Sequence, residues 1–147
     1  MDEIKTNLKN AIYLKASEKR SLKGFIHKSI KLYETNLESI NLFGSSLYTK
    51  EHKDIDLVLF VKELPETEPI SGQKRYKLVH NGYGRFVKNV QDIPLFENKI
   101  THEYIPLHYL VIQRDKIKPQ EGFDLSNIFL DNLLKNSITL YPFFDYD

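Results

Sequence analysis

The sequence predicts a small α/β or α+β domain, a mixed β-sheet of about four or five strands with helices packed on one face. Three observations predict it. Apolar residues recur at helical spacing through the first 36 residues. Short runs rich in branched residues stand at 39–43, 54–61, 103–113 and 137–141. A second helical period precedes the last of these runs. The resulting order is helix, strand, strand, insertion, strand, helix, strand, and the absence of repeats, low-complexity tracts or Gly/Ser linkers predicts a single domain over 1–147.

Within 1–36, Ile4, Leu8 and Ile12 follow i, i+4 spacing, then Leu22, Phe25, Ile26, Ile30 and Tyr33 continue on a helical face. Ser17 between the two sets is the natural N-cap. The run "SINLF" ends at Gly44, and "DIDLVLFV" (54–61) is the strongest strand candidate, so the two should be neighbours within a core segment at 40–61. The ten residues "GSSLYTKEHK" between them have room for a turn and one or two helical turns. Residues 63–103 carry Pro65, Pro69, Gly72, Asn81-Gly82, Gly84 and Pro94, which predicts an irregular insertion of turns with a hairpin at "HNGYGRF". In the segment 104–141, Pro106 predicts an edge position or an irregular start for the third strand "EYIPLHYLVIQ". A helix capped by Asp124 or Ser126 and bearing Ile128, Phe129, Leu133 and Leu134 follows, and the last strand closes the domain.

Composition narrows the function classes. The chain has 21 Lys plus Arg against 20 Asp plus Glu, a formal charge of +1, so no global field favours nucleic acid or a membrane surface. It has no cysteine, which excludes disulfides and thiolate chemistry and suits the cytoplasm. No 18-residue apolar run and no signal-like apolar stretch are present.

The chemistry concentrates at 40–61. On a strand Asp54 and Asp56 project to one side while Ile55, Leu57, Leu59 and Val61 project to the other. Two neighbouring carboxylates repel unless a cation lies between them, and Mg2+ or Mn2+ is the natural one because hard ions prefer oxygen ligands. The competing reading is an exposed acidic pair at the start of an edge strand. Gly44 permits close backbone approach. With Ser45 and Ser46 it forms a strand-to-helix bend whose N–H and hydroxyl groups suit a phosphate.

The stretch "LFGSSLYTKEHKDIDLVLF" resembles the signature of the nucleotidyltransferase fold of the DNA polymerase beta superfamily: an apolar strand, Gly-Ser, a short spacer, then Asp-x-Asp on a second strand. The ending "NIFLDNLLKNSITLYPF" is similar to the helix-then-strand tail of small, stand-alone members. The resemblance implies metal-dependent transfer of a nucleoside monophosphate from an NTP, ATP first among them, to an acceptor hydroxyl. It implies Asp54 and Asp56 as ligands of Mg2+ or Mn2+, and Gly44, Ser45, Ser46 and Lys53 as the nucleotide-binding set. Lys50, Lys62, Arg75 and Arg85 are further phosphate candidates. The third carboxylate of active members aligns with His108, or with Glu103 in a shifted register; His27, His52, His80 and His102 read as surface residues. Small members often serve as antitoxins that modify or mask a helical partner toxin, so a partner protein is the implied acceptor. The alternative is a catalytically silent protein of the same fold that binds a nucleotide or a partner.

Overall fold

The computed structural model describes residues 5–63, 75–77, 83–88, 94–113 and 135–143, with 75–77, 83–88 and 94–97 entering as paired backbone. Among the described residues one long helix, α1 (Ala16–Tyr33), packs on a sheet of seven strands: β1 (Leu37–Phe43), β2 (Ile55–Val61), β3 (Arg75–Lys77), β4 (Tyr83–Lys88), β5 (Pro94–His102), β6 (Ile105–Gln113) and β7 (Ile138–Tyr141). Their spatial order is β3-β4-β5-β6-β2-β1-β7. Every neighbouring pair is antiparallel except β2 and β6, which makes the sheet mixed. The fold is α+β, a five-strand core from β5 to β7 extended at one edge by β4 and β3.

The N-terminal segment departs from its periodicity. Where Leu8 and Ile12 predict a helix, the chain makes a 3-10 turn (Leu8–Asn10), burying Leu8, Ala11 and Leu14 and leaving Ile12 exposed; Ile4 lies outside the described residues. The cause is tertiary. The Asn7 backbone N–H donates to the Leu140 carbonyl at 2.9 Å, and its side-chain amide donates to Thr139 O at 2.9 Å, pinning this segment to β7 before a helix can propagate. Ser17 is not the cap of α1 either. The helix starts after Lys15, whose own N–H donates to the Glu18 carboxylate at 2.9 Å, half of a capping box. Leu22, Phe25, Ile26 and Tyr33 form its buried stripe. It ends where Glu34 turns to φ 52° and donates its N–H to Ile30 O.

The segment 63–103, expected to be irregular, contributes three strands. Of its turn-forming residues Gly84 lies within β4 and Pro94 opens β5, while Pro65, Pro69, Gly72 and Asn81-Gly82 lie outside the described residues; β3 and β4 pair with Lys77 opposite Tyr83. The expected hairpin is present as that pairing, while its loop lies outside the described residues. Glu103 and Tyr104, at φ 45° and 72°, make the two-residue connection from β5 to β6, so β6 begins at Ile105. It is an interior strand. Pro106 is accommodated because pairing with β2 starts one residue later, at Leu107 opposite Ile55. Of the helix expected after Asp124 only the end is described, with Lys135 helical; the rest lies outside the described residues.

The core sits between α1 and one face of the sheet. Ile55, Leu57, Leu59 and Val61 join Ile40, Leu42, Leu107, Tyr109, Val111 and Leu140 beneath Leu22, Phe25 and Ile26, all of them buried. Each fully buried Leu or Ile contributes about 1.5–3 kcal/mol. The Tyr109 hydroxyl, deep in this layer, accepts a hydrogen bond from Asn98 Nδ2 at 3.0 Å. Burial pushes the Tyr33 and Tyr109 phenols above their ordinary range. On the opposite face Val58, Phe60, Leu110 and Ile112 are also buried. Among the described residues no helix is long and apolar enough to cross a membrane.

Candidate phosphate and metal site

The end of β1 sets the geometry. Gly44 adopts φ 79°, ψ −163°, a conformation essentially confined to glycine. A Cβ at this position would lie 2.2 Å from Asp56 Oδ2. Phe43 pairs with Asp56 in the β1–β2 register, which brings the Asp56 carboxylate against the Gly44 Cα. The glycine is therefore fixed twice over, by its dihedral angles and by the acid packed on it.

After Gly44 the chain makes one tight 3-10 turn, Ser45–Leu47. Leu47 N–H donates to Gly44 O at 3.1 Å, and the N–H groups of Tyr48 and Thr49 both donate to Ser45 O at 3.0 Å. The N–H groups of Ser45 and Ser46 stand at the open end of this turn, as the first donors of any helix do. The Ser45 side chain is exposed and caps nothing. Ser46 is fully buried, and its hydroxyl has no hydrogen-bond partner among the described residues. A buried, unpaired donor beside a glycine bend is the kind of polar atom a ligand oxygen satisfies.

The spacer is as compact as its length demands. Glu51 N–H donates to Thr49 Oγ1 at 3.1 Å, His52 Nδ1 bonds Thr49 O at 2.9 Å, and His52 Nε2 bonds Glu18 Oε2 at 2.7 Å. Both partners of His52 are acceptors, so both ring nitrogens are satisfied as donors only in the imidazolium form. Burial would lower its pKa, but the hydrogen bonds to Thr49 and Glu18 and the Glu18 charge outweigh it, and the net shift is upward. Two of the histidines expected at the surface are thus interior: His52, with 3% of its side chain exposed, and His102, packed edge-on against Phe25 at 5.7 Å. For His102 desolvation dominates, and its pKa falls. His27 is half-buried, and His80 lies outside the described residues.

On β6, His108 lies directly beside Asp56 in the parallel register, and its Nδ1 donates to Asp56 Oδ1 at 2.9 Å. Glu103 is in the β5–β6 connection, with its carboxylate 3.9 Å from His102 Nε2 on the α1 side. The neighbour of Asp56 is therefore His108. On β5, Lys99 pairs with His108 and is exposed, so alternation along the strand puts it on the same sheet face. The result is a row across four adjacent strands: the Phe43–Gly44 junction, Asp56, His108 and Lys99.

The remaining expectations are met unevenly. Asp54 is half-buried in the bend just before β2, and its side chain makes no hydrogen bond or ion pair among the described residues. Lys50, Lys53 and Lys62 are exposed and make no ion pair among the described residues. Arg75 and Arg85 pair with each other on β3 and β4, and β4 is separated from β6 by β5. Lys99 escaped sequence reasoning, because placing it required recognising 94–102 as a strand returning through Glu103–Tyr104 to β6.

Among the described residues no three His, Asp or Glu side chains converge on a metal position. Asp56 and His108 nonetheless place a carboxylate oxygen and a ring nitrogen side by side, joined by the 2.9 Å hydrogen bond. Such a pair suits a divalent ion that completes its shell with water and phosphate oxygens, and the imidazole favours Mn2+ over Mg2+. Comparison of the chain with protein-family models, with curated proteins and with solved structures returned no match.

Proposed function

We propose that the row from Gly44 to Lys99 binds a nucleoside triphosphate, ATP first among them, with Mg2+ or Mn2+, and that the chain transfers the nucleoside monophosphate to an acceptor hydroxyl. The observation that carries this reading is the Asp56 carboxylate packed on the Gly44 bend, with an unpaired Ser46 hydroxyl in the same bend. It is a cation-binding group held against a phosphate-binding one. The Ser45 and Ser46 N–H groups would donate to phosphate oxygens, with the exposed Ser45 hydroxyl beside them, and Lys99 would offset their charge. Asp56 and Asp54 are the carboxylates that would hold the ion, with His108 Nδ1 as the nitrogen donor of the pair. When bound, a divalent ion neutralises charge on the phosphates and favours the deprotonated acceptor oxygen. The ring fills one of two roles: with Nδ1 among the ligands Nε2 carries the ring proton, whereas with Nδ1–H kept on Asp56 the basic nitrogen is Nε2, which then takes the acceptor's proton. The cytoplasm, rich in NTP and reducing, suits a chain without cysteine. The acceptor hydroxyl belongs to a partner protein, in keeping with the antitoxin-like resemblance.

One observation favours a second reading, a nucleotide- or partner-binding module without catalysis: Asp56 Oδ1 is already bonded to His108, and no third acid joins them among the described residues. Incubation with alpha-labelled NTPs and a candidate acceptor, in Mn2+ and in Mg2+, separates the two. The catalytic reading expects transfer of label that Asp56→Asn abolishes while the far-ultraviolet spectrum stays unchanged. Transfer retained in Asp56→Asn rejects it. A melting temperature raised by NTP and Mn2+ without transfer of label supports the silent module.

A further inference from the structure

The bend that opens the row ends in an exposed aromatic ring. Tyr48 follows the Ser45–Leu47 turn directly and is 58% exposed. A 3-10 turn has three residues per turn, so its side chains leave in three directions and residues i and i+3 eclipse. Ser46 takes the interior direction and is fully buried, and Leu47 takes a second and packs against the core. Ser45 and Tyr48 share the third, which is open to solvent. With a rise of about 2.0 Å per residue, the Tyr48 Cα stands about 6 Å along the turn from that of Ser45.

The backbone that carries this ring is fixed on both sides. The Tyr48 N–H donates to Ser45 O at 3.0 Å. Behind it, Thr49 Oγ1 accepts the Glu51 N–H, and Thr49 O bonds His52, whose other nitrogen is tied to Glu18 on α1. The Tyr48 side chain itself makes no hydrogen bond or ring contact among the described residues. A single exposed tyrosine is ordinary; this one is set apart by its rigid support and by its place one turn beyond the Gly44 bend on which the Asp56 carboxylate is packed. An aromatic face stacks on the π-face of a nucleobase, which bare polyphosphate lacks. Resting on the reading of the row as a polyphosphate site, we propose that Tyr48 is the platform on which the base of the nucleotide stacks. Stacking reads ring area rather than a hydrogen-bond pattern, so the site takes purine nucleotides, adenine and guanine alike, ahead of pyrimidine nucleotides and of inorganic triphosphate.

The test is calorimetric titration of the intact chain, in Mn2+, with inorganic triphosphate and with an ATP analogue whose α- and β-phosphates are joined by a methylene group and cannot be parted. The result expected is that the analogue binds about tenfold or more tightly than triphosphate. Tyr48→Ala and Tyr48→Leu should each erase that gap by weakening the nucleotide alone, and Tyr48→Phe should keep it. The ring is exposed, so the melting temperature of the free variants should stay unchanged. Triphosphate that fails to bind, or that binds Asp56→Asn as well as the parent chain, overturns the reading of the row and the platform with it. Triphosphate bound by the parent chain and lost in Asp56→Asn upholds the row, and the platform is then judged separately. It is overturned if Tyr48→Ala and Tyr48→Leu leave the gap in place or weaken both ligands equally, if Tyr48→Phe binds as poorly as Tyr48→Ala, or if the corresponding CTP analogue binds as tightly as that of ATP.

Discussion

Along β2 the two faces diverge. Toward α1, Ile55, Leu57, Leu59 and Val61 are apolar from end to end and at most 1% exposed; on the other face Asp56 gives way to Val58 and Phe60 within two residues. The helix face is a uniform adhesive layer. The other is adhesive only in its second half, and its first half presents a carboxylate to Gly44 and His108. The difference teaches that one strand can anchor a fold and present a polar side chain at once. Period-two alternation keeps the two surfaces separate, while burial of Val58 and Phe60 fixes the strand that carries the carboxylate.

The largest effect should come from breaking the adhesive layer. Leu57→Ala removes a fully buried side chain beneath α1 and should cost about 2–5 kcal/mol, read as a lower urea midpoint. Lys99→Ala, on the exposed part of the opposite face, should stay within about 0.5 kcal/mol while weakening NTP binding. Equal destabilisation by the two would erase the contrast.

Next in size is Gly44→Ala. It combines a glycine-only conformation with a clash at Asp56 and should cost about 1–3 kcal/mol. Pairing it with Asp56→Gly sharpens the test, because the double variant relieves the clash but not the backbone strain. A thermodynamic cycle should therefore show that the two changes are not additive.

The smallest effect is a slope against pH, and it runs in opposite directions for two histidines. His52 has a raised folded pKa, so its contribution is complete below the unfolded value near 6.5 and is lost as pH rises through the folded value. His102 has a lowered folded pKa, so its contribution is present above the unfolded value and is lost as pH falls through the folded one. Glu18→Gln should flatten the alkaline limb of a melting-temperature profile and leave the acid limb in place. A profile unchanged by that substitution would remove His52 from the account of what holds the spacer to α1.

Different parts of the molecule were legible for different physical reasons. The β1–β2 pair, the glycine bend and the acid beside it could be read directly, because alternation and the special dihedrals of glycine act within a few residues. That His108 rather than Glu103 stands beside Asp56 was left open by the sequence, because the pattern of each strand does not set the register between them. Strands β3 to β5 were obscured because Pro and Gly mark the ends of strands as readily as they mark loops, and only the pairing partner decides which. The interior positions of His52 and His102 were hidden for a related reason. Glu18 and Phe25, which enclose them, lie 34 and 77 residues away in sequence.

By itself the sequence determined a small α/β or α+β domain, the neighbouring strands β1 and β2 and the identity of the residues at the bend, because local patterning and backbone sterics operate over the length of one strand. The tertiary structure alone decided that Asn7 interrupts the first helix, that β6 is interior, and that Lys99 lines up with His108 and Asp56. Each of these depends on contacts closed across many residues, where the free energy belongs to the pair rather than to either partner.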